Sequence, residues 1–203
     1  MSLTNVLAIP QLYQAVQEMG GFHWGRLHAL QKYLSPKAGE RVIDIGCGPG
    51  YVARDLPDQI DYLGFDIDER YIAFANRRFA KRGRFFCRPF DEAAAKTFAP
   101  ADIVLMHGVL HHVSDEDAAG VLSAVANVLR PGGALFTVDP AYKEGQSWYL
   151  RFLMNHDRGR FTRTPEQYVQ LLAGSFASVE SHTHEDLARI RYTLFVGISR
   201  KSA

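Results

Sequence analysis

Asp44, Gly46, Cys47, Gly48 and Gly50 form the densest group of chemically suggestive residues, within the run Val42-Ile43-Asp44-Ile45-Gly46-Cys47-Gly48-Pro49-Gly50. One carboxylate stands among three apolar β-formers, and three glycines follow at alternate positions. Glycine has no Cβ, so the backbone can turn sharply there and a ligand can lie directly against it. A strand that empties into such a turn, with a helix behind, places a ligand at the carboxyl edge of an open α/β sheet. Dinucleotide sites use G-x-G-x-x-G and rest a pyrophosphate on the helix N-terminus. Here the spacing is Asp-x-Gly-x-Gly-x-Gly; Pro49 removes a donor that a phosphate would use, and Asp44 would repel it. A ligand with a cationic amino-acid end fits both features better. Sixteen positions after Gly50 comes a second acid, Asp66, closing the segment Tyr62-Leu63-Gly64-Phe65-Asp66. An acid at the tip of the next parallel strand can accept two hydrogen bonds from a ribose diol. Its alternative is a helix N-cap, a role Asp68 fills equally well.

The elements that must position these residues alternate from Arg41 onward, the mark of a parallel sheet covered on both faces. The expected strands are 41–45, 61–66, 84–88, 102–107, 133–139, 176–183 and 191–199. The expected helices are 50–56, 69–81, 114–130 and 165–173. Ser114 begins one of them with Asp115, Glu116 and Asp117 in its first turn, where the helix dipole favours negative charge. Thr164-Pro165-Glu166-Gln167 has the pattern of a capping box with proline at the first helical position. Ahead of the sheet, the first thirty-odd residues read as two helical pieces broken near Gly20-Gly21, with Leu27, Leu30 and Leu34 on one face and Pro36 as the stop.

The two acidic segments resemble the class I S-adenosylmethionine-dependent methyltransferases, and among them the small enzymes called methyltransferase type 11 or type 12. Ala101-Asp102-Ile103-Val104-Leu105-Met106 is similar to that family's fourth strand. Gly108-Val109-Leu110-His111-His112-Val113 is similar to its G-x-L-H-H stretch, and Leu129-Arg130-Pro131-Gly132-Gly133 to its L-[RK]-P-G-G turn. The resemblance spans roughly residues 35 to 200. It implies a Rossmann-like, doubly wound seven-stranded α/β sheet of order 3-2-1-4-5-7-6, last strand antiparallel, with N-terminal helices. It also implies S-adenosyl-L-methionine as cofactor. Asp44, Gly46, Cys47, Gly48 and Gly50 would then face the methionine end, Asp66 the ribose, and Ile67 the adenine. Phe90 and Asp91 resemble the position at the adenine edge, although a surface loop suits them equally. His107 and Gly108 would face the methionine part through their backbone, leaving the His107 ring free to pack.

His111 is the candidate general base, since it lies in the family motif and near the expected methyl group; packing under the next helix is its alternative. Adjacent histidines on a turn point apart and no third ligand accompanies His111 and His112, so no metal site is expected. His182 and His184 alternate on a late strand and read as solvent-facing. Residues 141–163 are too long for a tight link and too aromatic for a disordered spacer. In the family an insertion there covers the cofactor, so 141–163 is the expected substrate cap, with 1–36 as a helical cap on a single domain of 1–203. Tyr142, His156, Arg158 and Arg160 are its candidate acceptor contacts. Guanidinium forks grip carboxylate or phosphate; Arg158, Arg160 and Arg163 either bind an anionic acceptor or pair with Asp157 and its neighbours to hold the cap closed.

At 203 residues and a formal charge of +1, the composition suits one domain and argues against general nucleic-acid binding. No apolar run approaches the roughly 18 residues of a membrane span, and the first residues lack the basic start of a secretory signal. Cys47 and Cys87 read as free thiols of a reducing compartment. The expectation is a cytoplasmic enzyme acting on a small or medium-sized acceptor (metabolite, sugar or lipid intermediate), with oligomeric state open. The Asn-Pro-Pro-Tyr signature of amino-methylating enzymes for DNA and glutamine is absent. A non-catalytic cofactor-binding module and a nicotinamide-dependent oxidoreductase are the rival readings.

Overall fold

Seven strands and the helices between them account for most of the chain in the computed structural model, which describes residues 10–146, 151, 159–189 and 193–202. The strands are β1 Arg41–Ile45, β2 Asp61–Asp66, β3 Arg84–Cys87, β4 Ala101–His107, β5 Leu129–Pro140, β6 Ser178–His184 and β7 Leu194–Arg200. The helices are α1 Pro10–Met19, α2 Phe22–Tyr33, α3 Tyr51–Asp55, α4 Glu69–Phe79, α5 Glu92–Thr97, α6 Asp115–Val128 and α7 Pro165–Ala173, with a 3-10 turn at Leu110–His112.

The sheet order is β3-β2-β1-β4-β5-β7-β6, as the family resemblance implies. Strands β1 to β5 pair in parallel, while β7 runs antiparallel to both β5 and β6. Both faces are covered, so strands alternate between two apolar layers. Ile43, Ile45, Leu63, Phe65, Val104, Met106 and Leu135 pack with α5, α6 and α7. Val42, Tyr62, Ile103, Leu105, Phe136 and Val138 pack on the other face with α2, α3 and α4. That alternation decides where each acid goes. Asp44 shares the α2 face with Val42, whereas Asp139 shares the α7 face with Leu135 and Thr137.

Capping chemistry fixes the helix starts. The Ser114 side chain accepts from Asp117 N, and the Thr164–Gln167 capping box forms in both directions. Asp68 accepts from Arg70 N and caps α4, leaving Asp66 for other partners. Strand β5 begins ahead of its expected start because Leu129 already pairs with Ala101, and the Arg-Pro-Gly-Gly segment bulges before Ala134 meets Ile103. Helix α5 was not expected. Asp91 caps it by accepting from Ala94 N at 2.7 Å, and the alanines it starts bury Ala94 and Ala95. The late histidines also differ from expectation. His182 stacks on the Tyr33 ring at 4.4 Å and His184 Nε2 lies 2.8 Å from Tyr33 Oη, so both pack on the end of α2.

Candidate active site

The glycine turn after β1 lies between the ends of β2 and β4. Gly46 N and Cys47 N both donate to Phe65 O, at 2.8 and 3.0 Å, which ties the turn to the tip of β2. Gly46 has φ +71, and a Cβ there would lie 2.6 Å from Val109 Cγ2, so close approach to the loop after β4 demands glycine. Asp66 completes the turn from outside. Its Oδ2 accepts from Gly48 N at 2.9 Å and its Oδ1 from Asp68 N at 2.9 Å. A carboxylate has about four acceptor positions, so each oxygen keeps capacity for a further donor. Burial raises the Asp66 pKa, and the two backbone donors oppose that rise.

Asp44 is buried beneath the turn. The Tyr62 hydroxyl donates to its Oδ2 at 2.5 Å, while Oδ1 has no hydrogen-bond partner. Burial pushes its pKa up to about 7; the Asp66 charge adds to this, and the Tyr62 hydrogen bond and the Arg26 charge oppose it. His107, on the neighbouring strand β4 and the same face, has neither ring nitrogen partnered. Burial, then the charges of Arg26 and His23, hold its pKa down to about 3, so the ring is neutral at physiological pH. Asp44, His107, the glycine turn, Gln14, Gln17, His23 and Arg26 line a recess of about 40 Å³. That volume suits a small polar head group. A wider groove of about 620 Å³ opens on a different side of α2, against the β6–β7 turn, and shares none of the acids at the sheet edge except Asp186 of its own rim.

On the opposite face, Asp139 at the end of β5 holds His111. The His111 Nδ1 lies 2.8 Å from Asp139 Oδ1, and the His111 backbone N–H donates to the same oxygen at 3.2 Å. Both side chains are buried. An anionic partner on Nδ1 favours the tautomer with its proton there, which leaves Nε2 as the basic nitrogen. The two faces meet at Gly108. A Cβ built on Gly108 would lie 3.5 Å from Arg26 Nη2 and 3.5 Å from His111 Cε1, so Arg26 and the Cε1 edge of His111 both approach Gly108.

The remaining candidates divide. Ile67 is 77 % exposed just past the tip of β2, a free apolar cover beside Asp66. The Cys47 side chain turns away from the recess into the core, where its thiol would be 2.8 Å from a Cβ on Gly64, and burial raises its pKa well above normal. Phe90 is buried edge-on against Phe65, in the layer opposite Asp44. Asp91 is occupied as the α5 cap and pairs with Arg88 at 3.1 Å. Tyr142 sits beyond β5, with its backbone N–H on Arg163 O and the Arg151 guanidinium 5.8 Å from its ring. Arg160 is exposed, and His156 and Arg158 lie outside the described residues. Sequence reasoning missed Arg26, Gln14 and His23, which arrive from helices without any motif. It also missed Asp139, although an acid ending an apolar strand, as at Asp66, was a usable signal.

Three comparisons place the chain. The family described as "Methyltransferase domain" matches residues 43–135. An uncharacterized methyltransferase of Mycobacterium tuberculosis is 30% identical over 141 residues, covering 66% of this chain and 71% of that protein. A ubiquinone biosynthesis O-methyltransferase of Aromatoleum aromaticum is 30% identical over 143 residues, and the match spans 60% of its length. The fold superposes on human N-acetylserotonin methyltransferase, solved in complex with SAM, with a TM-score of 0.72 at 20% identity, covering 100% of this chain and 57% of that one. The chain belongs to the class I S-adenosylmethionine-dependent methyltransferases. Among the described residues no helix is long and apolar enough to cross a membrane, and no group of three or more His, Cys, Asp or Glu could hold a metal ion.

Proposed function

We propose that this methyltransferase transfers the methyl group of S-adenosylmethionine to a hydroxyl of a small or medium-sized acceptor, with His111 as general base. The observation that carries this reading is the meeting of two half-sites at Gly108: an unsatisfied acid and a cation on one side, a histidine oriented by an acid on the other. The buried residues fit the cofactor. Asp44 Oδ1, a buried acceptor lacking a partner, suits an ammonium group, and Arg26 beside it suits a carboxylate. Asp66 would take the ribose hydroxyls, Ile67 would cover the adenine, and the backbone of Gly46, Gly48 and Gly108 would lie along the methionine chain. His107, neutral and buried, adds no positive charge beside a sulfonium. Cys47 contributes backbone only, and Phe90 supports the β2 tip from below.

When bound, S-adenosylmethionine supplies a methyl group that is already electrophilic on its sulfonium. The chain's own task is to orient the acceptor and exclude water, which is worth roughly 7–11 kcal/mol in favourable cases. A hydroxyl acceptor also needs its proton removed. Nε2 of His111 takes it, and Asp139 stabilises the imidazolium that results, in the manner of a histidine–carboxylate pair. The O-methyltransferase among the relatives supports a hydroxyl acceptor. The near-neutral charge supports a small acceptor over nucleic acid, and the free thiols Cys47 and Cys87 support a cytoplasmic setting. Incubating the protein and methyl-labelled S-adenosylmethionine with a small-molecule fraction of cell extract tests the reading. Label should appear in a low-mass ether with wild type and not with His111→Ala. Label confined to protein or nucleic acid in whole extract would sink it.

A further inference from the structure

Gly159, Phe161 and Arg163 all fasten onto the turn that carries His111. The Phe161 N–H donates to His111 O at 3.0 Å. The buried Arg163 guanidinium donates to Leu110 O at 2.6 Å, Val113 O at 2.9 Å and Phe161 O at 2.9 Å, and pairs with Asp115 Oδ1 at 2.5 Å. Asp115 is 83% exposed, so solvent weakens that ion pair and the three carbonyl bonds do most of the fixing. The Tyr168 ring lies 5.7 Å from the guanidinium, and its hydroxyl donates to Pro140 O, the residue after Asp139, at 3.0 Å. Gly159 makes the tightest contact of all. A Cβ there would stand 2.1 Å from His111 Cδ2 and 3.0 Å from His111 O, so the strap's backbone lies directly on the ring.

The His111 ring is therefore held at two opposite edges: Asp139 takes Nδ1, and Gly159 closes on Cδ2. Only the edge between Cε1 and Nε2 is left toward Gly108. A guanidinium buried among three carbonyls has no capacity left for an anionic acceptor. Arg163 is thus spent on the His111 turn and Asp115.

We propose that the strap Gly159–Arg163 is a positioning device that sets the orientation of His111 and so keeps its Nδ1 on Asp139, which fixes the tautomer, Gly159 by close approach and Arg163 by gripping the turn. The consequence for catalysis rests on the base reading of His111; the geometry does not.

Nitrogen-15 NMR of histidine rings in the cofactor-free protein tests this, with His111→Gln to assign the His111 signals and Gly120→Ala, whose added Cβ meets nothing within 4 Å, as control. Wild type should show the Nδ1–H tautomer. Gly159→Ala should lose that signature; Arg163→Met should lose it too, and Arg163→Lys should restore part of it. In parallel, Gly159→Ala should lower kcat by about 100-fold with cofactor affinity kept, the usual scale for an ångström of misplacement. An unchanged tautomer in folded Gly159→Ala and Arg163→Met overturns the proposal. A changed tautomer with unchanged kcat upholds the strap and removes the base reading instead.

Discussion

Two buried acids stand at the carboxyl edge of the sheet, Asp44 on the α2 face and Asp139 on the α7 face, and their surroundings differ in kind. Asp44 has one oxygen satisfied by Tyr62 and the other bare, above a recess that also holds an unsatisfied His107. Asp139 spends Oδ1 twice on His111, whose turn is itself bound by Arg163 and Gly159, and leaves its buried Oδ2 without a partner. A buried polar atom without a partner costs free energy. Both acids carry that cost on one oxygen; they differ in what the other oxygen holds, the Tyr62 hydroxyl beside the recess for Asp44 and the ring and backbone of His111 for Asp139. In the proposed function the Asp44 half receives the cofactor and the Asp139 half holds the base.

The sharpest way to break this contrast is at the base. His111→Ala should cut methyl transfer by about a hundred- to ten-thousand-fold while leaving cofactor affinity unchanged, as steady-state kinetics and calorimetry would show. Loss of both would mean that the two halves are one structural unit. The next effect is on stability against pH. Asp44 keeps its proton in the folded state up to about 7 but in the unfolded chain only to 3.8, so its contribution falls as pH rises through that window. His107 runs the other way: it loses its proton near 3 when folded and 6.5 when unfolded, so its contribution rises with pH. The two are worth about 4 and about 5 kcal/mol, and they largely cancel between pH 4 and 6.5. Denaturation of wild type should therefore be nearly flat there. Asp44→Asn should grow more stable with rising pH, and His107→Phe less so; parallel curves would contradict the burial of both groups.

Smaller again is the ribose acid. Asp66→Ala should weaken S-adenosylhomocysteine binding by about 1.5–3 kcal/mol, the size of a charged hydrogen bond, and unchanged affinity in a folded variant would misplace the sugar. Arg26→Ala should cost about 1 kcal/mol, because Arg26 is only half-buried, and the loss should shrink further in high salt. A salt-independent loss would mean that Arg26 acts by packing.

The receiving half was legible in the sequence, because Gly46 and Asp66 answer to backbone requirements that few residue types meet. The strand order followed from the family resemblance, and the caps at Ser114 and Thr164 from local chemistry. What failed depended on distant packing. Phe90 and Asp91 suited an adenine edge or a surface loop equally in sequence, and neither reading foresaw that Asp91 caps α5 and that Phe90 packs on Phe65. Arg26 belongs to a helix that carries no motif, and only folding brings it beside Asp44. Arg163 is fixed by the turn it grips, an outcome that depends on carbonyls fifty residues away. Asp139 is visible in sequence as an acid ending a strand, yet its partner is set by which face β5 turns inward.

Calorimetric titration of S-adenosylhomocysteine into wild type, Asp44→Asn and Asp139→Asn tests the division between the halves most directly. The expected result is clear binding by wild type and Asp139→Asn, with affinity lost only in Asp44→Asn. Equal losses in the two variants, or no binding by wild type, would contradict it.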